Sequence, residues 1–280
     1  MKILVTGGHG QLGYALKEVL EGPIVLPRQS LDISDVEGLE EVLEKHRPDV
    51  VINAAAMTNV DLCEDEPEEA FTINGLAPGW MGELAHRFGF VLLQISTDYV
   101  FSGKKASPYT EEDCPDPISV YGNSKLVGEN LVRASLERYY ILRTSGLYGP
   151  GGKGNFVKTV LERARKGEKL RVVKDRFASP TYTLDLAREI KLLLDKTPPF
   201  GLYHAVNHGA PSWFDFARRA LEYAGLSPEA VEPISSEDFP QRARRPSFSA
   251  LKNGRLEKVG LDAMSPWDAA LKSYIEEYRP

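Results

Sequence analysis

A short apolar run, Ile3-Leu4-Val5-Thr6, breaks into Gly7-Gly8-His9-Gly10-Gln11-Leu12-Gly13 and then into a helical pattern of Leu12, Leu16, Val19 and Leu20. A strand, a glycine turn and a helix in that order leave few folds open. The spacing satisfies Gly8-x-Gly10-x-x-Gly13 and Gly7-x-x-Gly10-x-x-Gly13 together. Glycine serves such a turn by allowing a tight bend, a close backbone approach to a pyrophosphate and close helix–strand packing. The helix N-terminus that follows favours negative charge. The pattern predicts a dinucleotide-binding unit at the start of a parallel sheet.

The rest of the chain continues that theme. Apolar runs bounded by turn residues predict strands at Ile24–Leu26, Val50–Asn53, Val91–Ser96 and Tyr140–Arg143, with helices between them. Val36–His46 carries Val36, Leu39, Val42 and Leu43 on one face and stops before Pro48, and longer helices are expected over Pro67–Phe88 and Val120–Leu136. Strands alternating with amphipathic helices predict an α/β fold, a Rossmann-like doubly wound parallel sheet. After Arg143 the alternation loosens into a glycine-rich loop at Gly149–Gly154, a helix over Phe156–Lys166 and a strand at Leu170–Val173. Ser212 and Ser265-Pro266 open two further helices, Trp213–Tyr223 and Trp267–Tyr278. The expected division is a dinucleotide-binding Rossmann domain at 1–145, with 177–205 returning to it. Residues 146–280 are expected to form mainly a smaller C-terminal α/β substrate-binding lobe.

Composition narrows the function. The 280 residues carry a net charge of −6 and no long Lys/Arg run, which argues against a nucleic-acid partner. Cys63 and Cys114 are too few for a disulfide framework, and the short N-terminal apolar run makes neither a signal peptide nor a membrane span. A cytoplasmic protein without membrane partners is expected, either a monomer or a homodimer. The five histidines are scattered with no zinc-ligand spacing. The acidic clusters Glu40-Glu41 and Glu111-Glu112-Asp113 read as a solvated helix face and a loop.

Two places carry the chemistry. The second strand runs into Pro27-Arg28-Gln29, with Asp32 a few residues beyond. An Arg there pairs with a 2′-phosphate, which favours NADPH while leaving NADH possible; as a lone surface Arg it would carry no meaning. Tyr121 and Lys125 stand at i and i+4 within a predicted helix, ~6 Å apart along its axis and on one face. A phenol of pKa about 10 is a poor acid–base group near neutrality, and a neighbouring ammonium favours its phenolate, so the pair makes sense as proton donor and tuner. Upstream, the fourth strand ends in Ser96-Thr97-Asp98-Tyr99-Val100-Phe101, at the edge where such sheets bind ligands. Thr97 is placed either to hydrogen-bond a substrate carbonyl or to satisfy the local backbone. The run Arg242-Ala243-Arg244-Arg245 offers donors for a substrate pyrophosphate, or ordinary surface charge.

These features together resemble the extended short-chain dehydrogenase/reductase family, in which a Ser or Thr, a Tyr and a Lys four residues later form the catalytic group. Asn53-Ala54-Ala55-Ala56, Thr58-x-Val60-Asp61 and Ser96-Thr97-Asp98-Tyr99-Val100-Phe101-x-Gly103 look like its dTDP-4-dehydrorhamnose reductase branch. Arg143-Thr144-Ser145, Asn155-Phe156, Ser179-Pro180-Thr181, Gly201-Leu202-Tyr203-His204 and Arg245-Pro246-x-x-Ser249-x-Leu251 agree, so the resemblance spans the chain. It implies NADPH-dependent reduction of the C4 ketone of a dTDP-sugar, with Tyr121 as proton donor, Thr97 as hydrogen-bond donor and Lys125 on the nicotinamide ribose. It places Gly7, Gly10, Gln11, Leu12, Gly13, Arg28, Asp32, Ile33, Ala54, Ala55 and Ala56 on the cofactor. Thr58, Val60, Asp98, Tyr99, Asn155, Arg176 and Arg245 fall on the substrate. The chain departs from the branch at Gly146, where a Trp is usual, at Arg176, where a Gln is common, and at Ala15. Members with a metal-bridged dimer carry a Glu at the last of these, so no metal is expected. Alternatives are another nucleotide-sugar reductase or epimerase, or a non-catalytic regulatory subunit resembling the partner of methionine adenosyltransferase.

Overall fold

The computed structural model describes residues 1–278. The first half lays down β1 (Ile3–Thr6), α1 (Gln11–Val19), β2 (Ile24–Leu26), α2 (Val36–His46), β3 (Val50–Asn53), α3 (Val60–Asp65), α4 (Pro67–Phe71), α5 (Ala77–Phe88), β4 (Val91–Thr97), α6 (Val120–Ser135) and β5 (Tyr139–Thr144). The second half adds β6 (Leu147–Tyr148), α7 (Phe156–Arg165), β7 (Leu170–Val173), β8 (Thr181–Tyr182), α8 (Thr183–Lys196), β9 (Gly201–His204), α9 (Trp213–Tyr223), β10 (Val231–Ile234), α10 (Gly254–Lys258) and α11 (Trp267–Tyr278).

Six strands form one sheet in the order β2-β1-β3-β4-β5-β9, every pair parallel. Burial on both faces explains the continuous apolar runs Ile3-Leu4-Val5 and Val50-Val51-Ile52. One face packs against α1 and α8 through Leu12, Leu16, Leu186, Ile190 and Leu193. The other packs against α2 and α5 through Leu39, Leu43, Met81 and Leu84, and against α6 through Val132. This is the doubly wound α/β sandwich expected.

The chain leaves β1 towards β2 on one side and reaches β3 on the other, so a crevice opens above the carboxyl ends of β1 and β3. That is where such sheets bind ligands. A buried polar chain braces it: the Thr6 hydroxyl donates to Asn53 Oδ1 (2.6 Å), and Asn53 Nδ2 donates to Gln94 Oε1 (2.8 Å).

The segment expected as one helix over Pro67–Phe88 is divided. Thr72–Leu76 forms a π-helical turn between α4 and α5. Asn74 lies in it, buried, accepting from Met57 N (2.9 Å) and donating to Met57 O (3.0 Å) and Ser124 Oγ (3.1 Å). Periodicity does not register such a turn, because the residues around it keep helical spacing.

Beyond β5 the chain builds two small parallel pairs, β10-β7 and β6-β8, with α7, α9 and α11 packed together around Tyr148, Phe216 and Tyr274. The strand β10 was not anticipated, because Pro233 within it reads as a strand breaker. Among the described residues no helix is long and apolar enough to cross a membrane.

Candidate active site

The glycine turn has the tight geometry its spacing requires. Gly7 has φ +71, and a Cβ on it would lie 2.8 Å from the backbone of Ala54. A Cβ on Gly13 would lie 2.5 Å from Gly7 O, so the first turn of α1 sits against the loop with no room for a side chain. The N-cap of α1 is Gly10, which offers no side-chain acceptor, and the first N–H groups of the helix, those of Gln11, Leu12 and Gly13, remain open to an anion. Gln11 Oε1 is buried without a hydrogen-bond partner, while its Nε2 reaches Gly154 O at 3.4 Å. The glycine-rich loop lies over the turn: a Cβ on Gly151 or Gly152 would meet Tyr14 or Gln11 within 3 Å. An uncapped helix end, a cradle that any Cβ would fill and an orphaned amide oxygen fit a bound dinucleotide pyrophosphate.

Further along the crevice, Ala54, Ala55 and Ala56 leave the end of β3 half-buried, and Ile33 is buried beside Asp32. The Asp32 carboxylate accepts from the Ser34 hydroxyl (2.6 Å) and backbone N–H (3.0 Å), which together with Arg28 hold it below the usual carboxylate range. Arg28 Nε stands 3.0 Å from Asp32, and a second nitrogen lies 3.5 Å from Glu69, with the side chain largely exposed.

A cavity of about 450 Å³ adjoins this crevice at the ends of β4 and β5. Its inner wall carries Thr97, Asp98, Tyr99 and Tyr121, with Thr58 from the β3–α3 connection and Val60 from the start of α3. The outer wall carries Arg176, Arg245, Gln241, Phe239 and Trp213.

Glycine again permits the close approach. A Cβ on Gly122 would lie 2.2 Å from Tyr99 O, so α6 presses against the segment after β4 and brings the Tyr121 and Tyr99 rings edge to face, 5.7 Å apart. Ser119 caps α6, its hydroxyl accepting from Gly122 N at 3.1 Å. Thr97 donates to Asp98 Oδ1 (3.2 Å) and accepts from Tyr99 N (3.2 Å), so it serves the local backbone while facing the cavity. Burial pushes the Asp98 carboxyl up to about 6, against the hydroxyls of Ser249, Ser145 and Thr97. Burial first, then Asp98 and Tyr99, raises the Tyr121 phenol well above its ordinary value, with Thr97 opposing.

Lys125 lies behind the cavity, its ammonium donating to Ile95 O at 2.6 Å, and burial pushes it down to about 8 with Glu129 opposing. Burial dominates the acidity of the phenol itself, and Tyr121 is held protonated at neutral pH. A protonated phenol is the form a reduction needs.

Arg245 is tied to Asp61 by two hydrogen bonds (3.1 and 2.9 Å), and Ala243 N donates to the same carboxylate at 2.9 Å. Arg242 pairs with Asp65. The Arg cluster thus clasps the later segment onto α3. Arg176 is half-buried in the cavity wall and hydrogen-bonds the neutral amide of Gln241, which leaves it the cation better placed to meet an anion. Asn155 is not on the wall: it caps α7 through Lys158 N (2.9 Å), and its amide donates to Gly149 O and Tyr274 Oη. Ala15 is fully buried against the core. Gly146 has φ +52, and a Cβ there would come within 3.1 Å of the Trp213 indole, which covers it. Trp213, Phe239 and Gln241 escaped the sequence reading; the only signal was Trp213 at the first position after a helix cap.

Known proteins resemble this chain along its length. The RmlD substrate-binding domain family model matches residues 1–280. The spore coat polysaccharide biosynthesis protein SpsK of Bacillus subtilis is 39% identical over 99% of this chain and 97% of its own length. A dTDP-4-dehydrorhamnose reductase of Streptomyces griseus is 39% identical over 96% of this chain and 91% of its own. The crystal structure of dTDP-4-dehydrorhamnose reductase from Bacillus anthracis in complex with NADP superposes with a TM-score of 0.95 at 36% identity, covering 99% of this chain and 100% of that one. A glycine-cradled crevice, a Thr/Tyr/Lys group beside it and a family match along the full length lead to one assignment: the chain belongs to the RmlD substrate-binding-domain family, that of the dTDP-4-dehydrorhamnose reductases.

Proposed function

We propose that the protein reduces the C4 ketone of dTDP-4-dehydro-L-rhamnose to the alcohol of dTDP-L-rhamnose, with NADPH as the reductant. The observation that carries this reading is the placement of the half-buried Tyr121 phenol and the Thr97 hydroxyl on one cavity wall, next to the glycine crevice. Gly7, Gly10, Gln11, Leu12 and Gly13 would hold the pyrophosphate, Asp32, Ile33 and Ala54–Ala56 the nucleoside portions, and Arg28 the 2′-phosphate. When bound, the reduced nicotinamide supplies the hydride that the ketone carbon accepts.

The chain's own groups then manage the charge that develops on oxygen. Thr97 donates a hydrogen bond to that oxygen, and Tyr121 gives up its phenolic proton to it. A phenol held neutral by burial is poised to donate as the carbonyl becomes an alkoxide, which is a far stronger base. Lys125, cationic behind the phenol, stabilises the phenolate left behind and supports the ribose. Arg176 offers its guanidinium to the substrate diphosphate, while Arg245 holds its segment in place from Asp61. Residues 1–145 with 177–205 serve the cofactor in this reading, and the remainder of 146–280 closes around the sugar nucleotide.

The test is oxidation of NADPH followed at its absorbance band with dTDP-4-dehydro-L-rhamnose as substrate, and with the C4-keto sugar on a different nucleotide as control. Turnover with the first and formation of dTDP-L-rhamnose is the expected result. An intact protein that binds NADPH and leaves this sugar unreduced would overturn the reading.

A further inference from the structure

Behind the cavity, on the sheet side of α6, four polar side chains meet out of reach of solvent: Glu129, Arg143, Ser96 and His204. Glu129 stands one helical turn after Lys125 and therefore shares its face. Its Oε1 accepts from the Ser96 hydroxyl at 2.5 Å and from Arg143 Nε at 2.8 Å, and its Oε2 accepts from an Arg143 Nη at 2.6 Å. Ser96 directly precedes Thr97, and in the β4–β5 register it is opposite Arg143. Arg143 is in turn opposite His204 on β9 and lies over the Phe101 ring at 5.1 Å. One carboxylate thus joins the helix that carries Tyr121 and Lys125 to the strand that carries Thr97.

Fold stability does not account for this arrangement. Two charges with side chains 1% exposed are costly to desolvate, and well-packed apolar residues commonly replace such pairs without loss. What apolar residues would not replace is a bidentate, directional tie and a negative charge close to a buried ammonium. The groups around Lys125 make that charge matter. From β4 it meets the Ile95 carbonyl; from the segment after β4, Asp98 and Tyr99 face Tyr121; from the π-helical turn, Asn74 presents a neutral amide to Ser124. From β5, Arg143 is paired to Glu129, and from β9 the His204 imidazole is held neutral by burial and Arg143. Glu129 is the anion that opposes the desolvation of Lys125.

We propose that Glu129 is a positioning residue for the reduction: pinned by Arg143 and Ser96, it fixes α6 against β4 so that Tyr121 and Thr97 address the same oxygen, and it sets a counter-charge one turn behind Lys125. This rests on the reading that Tyr121, Thr97 and Lys125 carry the reaction. Shortening or neutralising Glu129 separates the two parts of the role. Glu129→Gln keeps the length and loses the charge, whereas Glu129→Asp keeps the charge and draws it back from the strand.

For Glu129→Gln we expect kcat to fall about 10- to 100-fold while KM for the sugar nucleotide stays within about threefold, the signature of misaligned groups rather than lost binding. We also expect the alkaline limb of kcat to move down by about one pH unit, because Lys125 loses the one anion that opposes its desolvation. The pH dependence of NADPH affinity, read by quenching of intrinsic fluorescence without any sugar present, should move the same way. Glu129→Asp should lower kcat and leave both pH limbs in place. A folded Glu129→Gln protein with wild-type kcat and unshifted pH limbs overturns the proposal. Should the single variant fail to fold, Glu129→Gln/Arg143→Met removes both charges; unshifted limbs in that protein overturn the proposal equally. Wild-type protein that binds NADPH and does not reduce the sugar overturns the functional reading instead, and the NADPH affinity profile still decides for or against Glu129.

Discussion

Arg28 and Tyr121 stand at the two ends of the proposed cofactor and substrate site, and each has partners that its place in the sequence did not disclose. Arg28 is shared between Asp32 and Glu69, so a 2′-phosphate would compete with two carboxylates for it. We expect Arg28→Ala to lower kcat/KM for NADPH by about 10- to 100-fold, the worth of a charge-assisted hydrogen bond, and to leave kcat/KM for NADH nearly unchanged. Steady-state kinetics with both cofactors checks this; equal losses would remove Arg28 from phosphate recognition. Tyr121 was read from a Tyr and a Lys at i and i+4, and that spacing located the pair correctly on one helix. The direction of its acidity was not legible, because burial by distant segments sets it, together with the nearby Asp98, Tyr99 and Cys63 groups. Tyr121→Phe should lower turnover by about 10²–10⁴-fold and leave the NADPH dissociation constant within a few-fold. Glu111 lies in a loop as expected, but its partners were not legible either: its carboxylate accepts from His204 N (2.9 Å) and Arg255 N (3.0 Å).

At the scale of elements, the strands and most helices were legible because period and punctuation are local. Val36–His46 begins at an Asp35 cap and ends at Arg47 in the left-handed region, as its pattern and Pro48 implied. The glycines on α6 have a reason that only packing supplies. Gly128 lets α6 approach the π-helical turn, where a Cβ would lie 2.3 Å from Asn74 O, and Gly122 lets it approach Tyr99. Gly122→Ala should therefore cost about 1–3 kcal/mol in stability through overpacking, seen as a lower Tm, and should cut kcat by more than that loss predicts because Tyr121 is displaced. An alanine that lowers Tm and leaves kcat alone would show that the helix shifts without moving its phenol.

For the molecule as a whole, the cavity closes because distant segments meet. Asp61, at the start of α3, holds Ala243 and Arg245, and these bonds keep the Asp61 carboxyl low. Asp61→Ala should raise KM for the sugar nucleotide several-fold with little change in KM for NADPH, since the clasp borders only the sugar side; a reversed pattern in steady-state kinetics would refute this. His204 gives the molecule an acid limit. Burial and Arg143 push its imidazole down to about 3, far below its unfolded value, so the unfolded chain binds the extra proton. The folded state is fully favoured above about pH 6.5 and loses that contribution as pH falls towards 3. Tm measured across that window should decline, and His204→Gln should flatten the decline if the variant folds.

The sequence by itself determined the doubly wound sheet, the cofactor turn and the Tyr121–Lys125 pair, because glycine spacing, apolar runs and helical periodicity all act between near neighbours. It also marked Thr97 by its place at a strand end. Only the tertiary structure decided that Trp213 covers Gly146, that Arg245 is occupied by Asp61 while Arg176 faces the cavity, that Asn155 serves a helix cap, and that Glu129 lies under Lys125 with Arg143 and Ser96. Those outcomes depend on desolvation and on hydrogen bonds between residues far apart in the chain, and neither quantity exists until the sheet has assembled.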